Sequence, residues 1–187
     1  MATIDLIVLG MLRKESLSAY DIQKLVEYRK ISKWVKISTP SIYKKVLQLE
    51  KKGLVEGKPI KEGSFAEKTV YSLTEAGKQE FEMLMLQISS KPIHMYLDFN
   101  AVVVNIMSLP AEQRKLCISN IEKNIKAMKK ELEENIAAKE ELSEISELGK
   151  AVLYQQYALT DALEKWIESL EEEPEKNKNS LYISKVK

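Results

Sequence analysis

One cysteine and one histidine stand among the 187 residues, and the scarcity of both narrows the chemistry open to the chain. A lone Cys117 cannot build an intramolecular disulfide framework; it suits a reducing compartment and is expected as a core residue. A lone His94, two residues after Pro92, excludes zinc sites built on paired histidines and leaves any Ser-His-Asp triad dependent on that one ring, so a solvated or packed role is expected. Gly-rich phosphate loops, HExxH and CxxC are absent as well, so no catalytic residue, metal or cofactor is expected and the chain does not read as an enzyme. No apolar run approaches the ~20 residues that cross a bilayer. The opening residues lack the basic, apolar, small order of a signal peptide, which together points to a cytoplasmic protein.

What is present is ordinary in amount and uneven in placement. With 44% hydrophobic and 30% charged residues, the chain can bury one sizeable core or two small ones. Net charge is only +1, which gives no general affinity for polyanions. Between residues 24 and 68, however, 12 Lys+Arg face 5 Asp+Glu, a local excess of +7.

The middle of that basic segment is the stretch on which the rest is organised, Ile37 to Gly53. Thr39, biased to extended geometry by the proline that follows, reads as an N-cap, and Pro40 suits the first helical position, where a missing N–H costs nothing. Ile42, Val46 and Leu49 recur at i, i+4, i+7 as a buried stripe, with Ser41, Lys44, Lys45, Gln48, Lys51 and Lys52 largely on the other side. Gly53 is a natural stop. A short helix with an apolar back, and with hydroxyls and lysines on its front, is built like an element that lies in a DNA major groove.

Around it the pattern continues. Ile4, Leu6–Leu9, Met11 and Leu12 form a helix apolar all round, expected to be buried on more than one side and to pack across domains. Ser18 to Asp21 has capping-box spacing and opens a second helix whose Ile22, Leu25 and Val26 face inward, ending near Arg29. Lys30 to Ser38 reads as a long turn or an extra helical turn, with Trp34 as a packing anchor. After Gly53, residues 54–61 and 68–73 read as two strands of a hairpin, the first placed at a sheet edge by Pro59. Thr74 then caps a helix with Phe81, Leu84, Met85 and Ile88 on one face.

Helix, helix, basic helix, hairpin, helix is the winged helix-turn-helix layout. Five ordered pieces carry a closer likeness: Leu6 to Leu12, Ser18-Ala19-Tyr20, Ser41-Ile42-Tyr43, Leu47 to Val55, and Tyr71 to Gly77. In them the first 85 or so residues resemble the PadR family of bacterial transcriptional regulators. The family usually has His-Gly-Tyr where this chain has Ser18-Ala19-Tyr20, and the linker from Lys30 to Ser38 is this chain's own. The resemblance implies a DNA-side position for Tyr43 in the third helix and Lys68 in the wing, and for Tyr20 at the head of the second helix. Thr39 and Ser41 are expected to meet phosphate or base edges, and Lys44 and Lys45 phosphate or guanine.

Past Pro92 the reading turns helical. Leu97 to Met107 is apolar and read as a helix, Pro110 opens a long one with Ile118, Ile121, Ile125, Met128, Leu132 and Ile136 near heptad spacing, and a second long one carries Ile145, Leu148, Val152, Leu159, Leu163, Trp166 and Leu170. A short connection near Lys139 to Ser143 favours an antiparallel hairpin. The expected architecture is therefore mainly α with a small β-hairpin wing: a DNA-binding domain over 1–90, a helical dimerisation domain over 91–172 and a flexible tail over 173–187. One hairpin cannot hide all these apolar faces, so a homodimer is expected, the first helix helping to bridge the subunits. The resemblance implies the same, and also a small aromatic or apolar effector, for which Met83, Met95, Tyr96, Phe99 and Trp166 are the candidate lining. Operator DNA is the expected partner and repression the expected activity; a winged helix used to dock another protein is the alternative.

Overall fold

The computed structural model describes residues 2–61, 68–140, 142 and 145–171; the expected wing tip and tail lie outside these. The chain divides into two compact units between His94 and Met95. In the first, α1 (Ala2–Leu12), a two-residue β1 (Leu17–Ser18), α2 (Ala19–Tyr28) and α3 (Ser41–Lys51) precede β2 (Val55–Ile60), β3 (Lys68–Leu73) and α4 (Glu75–Ser89). The three strands form an antiparallel sheet in the order β1-β3-β2, which puts Pro59 on an outer strand as its missing N–H requires.

Each boundary has a local cause. Ser18 caps α2 with a reciprocal box: its hydroxyl oxygen accepts from the Asp21 N–H at 3.1 Å, and the Asp21 carboxylate accepts from the Ser18 N–H at 3.1 Å. Gly53, at φ 70°, ends α3; its N–H reaches the Glu50 carbonyl at 2.8 Å and that of Leu54 reaches Leu49 at 3.0 Å, the paired bonds of a left-handed helix stop. Thr74 caps α4, its hydroxyl oxygen accepting from Gly77 at 3.0 Å.

The core of this unit gathers Val8 and Leu9 from α1, Ile22 and Val26 from α2, Ile42, Val46 and Leu49 from α3, and Val55 and Tyr71 from the sheet. Within the unit α1 packs on α3 and α4, which buries Ile4, Val8, Leu9, Met11 and Leu12 and leaves Leu6 and Ile7 half-buried. Gly10 lets α4 approach: a Cβ there would stand 3.1 Å from the Phe81 ring. Beyond the helix end, Arg13 lies over that ring at 5.1 Å and pairs with Glu82 at 3.0 Å. Between α2 and α3 the chain makes a single 3₁₀ turn at Ile31–Lys33, and Ile31 is the buried anchor there; Trp34, expected in that role, is 37% exposed.

The second unit holds α5 (Phe99–Asn105), a 3₁₀ turn at Ile106–Ser108, α6 (Ala111–Glu140) and α7 (Glu147–Glu171). α6 and α7 pack on each other as a hairpin. In α6 Ile121 and Ile125 are buried as expected, but Cys117 is half-buried and Met128 exposed. In α7 the buried series is Leu153, Thr160 and Ile167, one residue along from the expected Val152, Leu159 and Trp166, while Leu148 is 81% and Leu159 40% exposed. Two adjacent apolar stripes run along this helix, and periodicity alone does not say which one meets α6.

Lys129 crosses from α6 to α7, its Nζ 2.6 Å from both Asp161 and Glu164, while Lys165 reaches Asp161 at 2.7 Å. The hydrogen bonds from Lys129, then Lys165, hold the Asp161 carboxyl down to about 2 from an ordinary 3.8. A depressed carboxyl stabilises the folded state above its unfolded pKa, and that contribution vanishes as pH falls through the folded value. Between about pH 4 and 2 the denaturant midpoint should therefore fall more steeply for the wild type than for Asp161→Asn; parallel curves would remove the network from the acid response.

Candidate nucleic-acid interface

α3 enters through a turn rather than through a side-chain cap. Pro40, at φ −61° and ψ −19°, already has helical geometry, and the first free N–H groups are taken by backbone carbonyls: Ser41 by Ser38 at 3.0 Å and Ile42 by Thr39 at 3.1 Å. The expected N-cap at Thr39 is thereby corrected; its side chain makes no cap bond and is half-buried. Ser41 is turned back as well, its hydroxyl donating to the Ser38 carbonyl at 2.5 Å.

With Ile42, Val46 and Leu49 fully buried, the opposite face of α3 is committed to solvent. It presents Tyr43, 59% exposed, with Lys44, Gln48 and Lys51. Lys45, expected among them, is not there. Its ammonium lies 2.8 Å from Asp5 Oδ1 of α1, with the two side chains only 12% and 14% exposed. The alignment is that of an ion pair more than a hydrogen bond, since Asp5 Oδ1 is buried and accepts no hydrogen bond of good geometry. The heptad position of Lys45 put it at the edge of the buried stripe, and a carboxylate on the neighbouring helix drew it inward. An acidic residue inside an otherwise apolar first helix was the signal that α1 needs a cationic partner.

The wing flanks this face with Lys58, Lys61 and Lys68, all exposed; Lys58 is in a loose pair with Glu56 at 3.5 Å. Tyr20, at the start of α2, is exposed, with the Lys24 ammonium 5.4 Å from its ring. One contact that spacing did not suggest joins α3 to the wing: Glu50 Oε1 accepts from the Gly57 N–H at 3.1 Å. Beside it the Tyr71 hydroxyl pKa is pushed up by burial, then by the charge of Glu50 and by Tyr43.

The residues expected to line an effector pocket are spread over both units. Met83 is exposed on α4 in the first. In the second, Phe99 and Trp166 stack at 5.7 Å on the Ile121, Ile125 and Ile167 cluster, and Met95 and Tyr96 are exposed. Among the described residues, no group of His, Cys, Asp or Glu forms a metal site and no helix is long and apolar enough to cross a membrane.

These features have relatives. The negative transcriptional regulator PadR of Bacillus subtilis is 31% identical over 80 residues, a match that spans 43% of this chain and 43% of that protein, less than half its length. Its crystal structure in complex with operator DNA aligns with 90% of this chain and 97% of that one at a TM-score of 0.76 and 23% identity. The same protein in complex with p-coumaric acid aligns at 0.72 and 22% identity, covering 89% and 92%. At such identities the structural likeness is one of fold. The family model for transcriptional regulators of the PadR-like family matches residues 8–83, which take in the end of α1, α2, α3, the sheet and most of α4. Through that stretch the chain is similar to the PadR-like family of transcriptional regulators.

Proposed function

We infer that this chain works as a homodimeric repressor in the cytoplasm, laying α3 in the major groove of operator DNA and its wing along the flanking phosphates. The observation that carries this reading is the division of α3 itself, a wholly buried back and a front of Tyr43, Lys44, Gln48 and Lys51 inside a segment of net charge +7. Lysines placed so neutralise phosphates and release counterions, and the hydroxyl of Tyr43 adds a neutral phosphate contact. Ser41 and Thr39 contribute less than the lysines, since the N–H and hydroxyl of Ser41 are both engaged with the Ser38 carbonyl and Thr39 is half-buried. Tyr20 and Lys68 stand as further contacts to the sugar-phosphate backbone; Lys45 is withdrawn from that set by Asp5.

Dimerisation is supported by the second unit. Its buried seam is narrow, and Leu116, Met128, Leu148, Tyr154 and Leu159 remain exposed on α6 and α7. A second copy covering them would bring two α3 helices into one assembly, as the two half-sites of a symmetric operator require. Because PadR of Bacillus subtilis has been crystallised with p-coumaric acid, a small aromatic acid is the effector to try first. It would release DNA to the extent that it favours one spacing of the two α3 helices over another.

The test is fluorescence anisotropy on a duplex from upstream of the protein's own gene, titrated with salt and unrelated competitor DNA. Lys44→Ala should flatten the log–log salt slope by about one unit, and Tyr43→Ala should weaken binding with little change in slope. If both variants bind like the wild type, α3 is not the reading element. Binding that competitor DNA abolishes equally on every duplex would favour docking of another protein on the same face.

A further inference from the structure

Beyond their shared apolar core, a side-chain hydrogen bond ties the end of α3 to the root of the wing. β2 is an outer strand, so alternate N–H groups along it point away from β3 and need another acceptor. At Gly57 that acceptor is Glu50 Oε1, 3.1 Å away on the last turn of α3. The approach is tight on every side: a Cβ at Gly57 would stand 2.6 Å from that oxygen and 2.9 Å from both Thr69 Cγ2 and Tyr71 Cε1. Only glycine lets the strand come this close, and an ionised acceptor makes the bond stronger than a neutral one would be.

An acidic residue beside a face built for phosphate needs a reason. Glu50 would repel DNA if it faced the helix front; instead it is half-buried and turned to the strand. We propose that Glu50 is a positioning residue for the wing: by holding the Gly57 N–H it fixes the angle at which β2 and β3 leave α3, and so sets where Lys58 and Lys68 stand relative to DNA held by Tyr43 and Lys44. The proposal rests on the DNA-binding reading above. A grip at two points, groove and flanking phosphate, keeps its second contact only if the separation between the points is held. The side chain that holds it touches no DNA.

The experiment uses the full chain as wild type, Glu50→Gln, Glu50→Ala, the double variant Lys58→Ala/Lys68→Ala, and that double variant with Glu50→Ala added. Two readouts are taken: the salt slope on the upstream duplex, and hydrogen exchange at the Gly57 amide. Glu50→Gln keeps an oxygen that can accept the same bond and should keep both the slope and the protection. Glu50→Ala should speed Gly57 exchange by about tenfold and flatten the slope by about one to two units. Added to the wing double variant it should flatten the slope no further, because the contacts it positions are already gone. Unchanged Gly57 exchange in Glu50→Ala, lost affinity at an unchanged slope, or slope losses that add to those of the wing lysines would each overturn the proposal. If the wild type binds no duplex, the DNA-binding reading and the proposal fall together; if it binds and Glu50→Ala matches it, the proposal falls alone.

Discussion

Gly77→Ala should strip the N-terminal unit of a large part of its stability, although alanine is the better helix former. A Cβ at this position would lie 2.0 Å from the Leu54 carbonyl oxygen, 2.8 Å from Leu73 Cδ1 and 3.0 Å from the Leu54 carbonyl carbon. The obstacle is backbone, and that backbone is pinned. The Leu54 N–H donates to the Leu49 carbonyl at 3.0 Å, its carbonyl accepts from Thr74 at 3.2 Å, and the Thr74 hydroxyl donates to the Gly53 carbonyl at 2.7 Å. Relief therefore means drawing α4 away from the stop of α3. An added methylene in a packed core usually costs about 1–3 kcal/mol, and with no side chain able to yield the cost here should reach about 3–5 kcal/mol. That is a large share of the roughly 5–15 kcal/mol that holds a domain folded. Urea unfolding followed by the near-ultraviolet signal of Trp34 and the tyrosines would measure it. A midpoint at or above that of the wild type would mean that helix propensity, worth about 1 kcal/mol in the other direction, outweighs the contact.

The second large effect is expected at Lys45. Lys45→Met keeps most of the volume but leaves the Asp5 carboxylate enclosed between α1 and α3 without its cation. Breaking a buried pair by removing one partner costs about 3–5 kcal/mol, and because both groups retain some exposure we expect about 2–3 kcal/mol here. Asp5→Asn/Lys45→Met should recover most of the loss, since neither charge then needs a partner. On DNA the expectation runs opposite to that for Lys44: a lysine held by Asp5 neutralises no phosphate, so Lys45→Met should leave the salt slope as it is once the protein is folded. A slope flattened by one unit would return Lys45 to the interface.

The features that could be read in advance are those decided within a few residues. The Ser18–Asp21 box, the Thr74 cap, the positive φ of Gly53 and the edge position of Pro59 each depend on a short-range hydrogen bond, a backbone angle or a missing donor. The burial of Ile42, Val46 and Leu49 follows from helical periodicity, and with it the outward placement of Tyr43 and Lys44. What escaped depends on distant partners. β1 is two residues long and exists because Leu17 pairs with Tyr71 and Ser18 with Val70, more than fifty positions away. Lys45 turns inward because of Asp5, and Glu50 serves the wing because of Gly57. In α7 two apolar stripes were visible, and only the packing of α6 selects Leu153, Thr160 and Ile167. Thr39 was misplaced for a smaller reason: Pro40 can begin helical geometry on its own, and a turn replaced the cap.

The seating of α1 against α4 has a consequence for the order in which the chain matures. Arg13 and Glu82, the pair that closes this contact, are 69 positions apart, whereas α6 and α7 meet across a short connection. Contacts between near neighbours close quickly, and those separated by a long loop close late. On the ribosome, then, α1 waits with the part of its apolar surface that meets α4 uncovered until α4 has been made, so the nascent N-terminal unit should be a chaperone client for much of its synthesis. The helical hairpin should be able to fold almost as soon as α7 emerges.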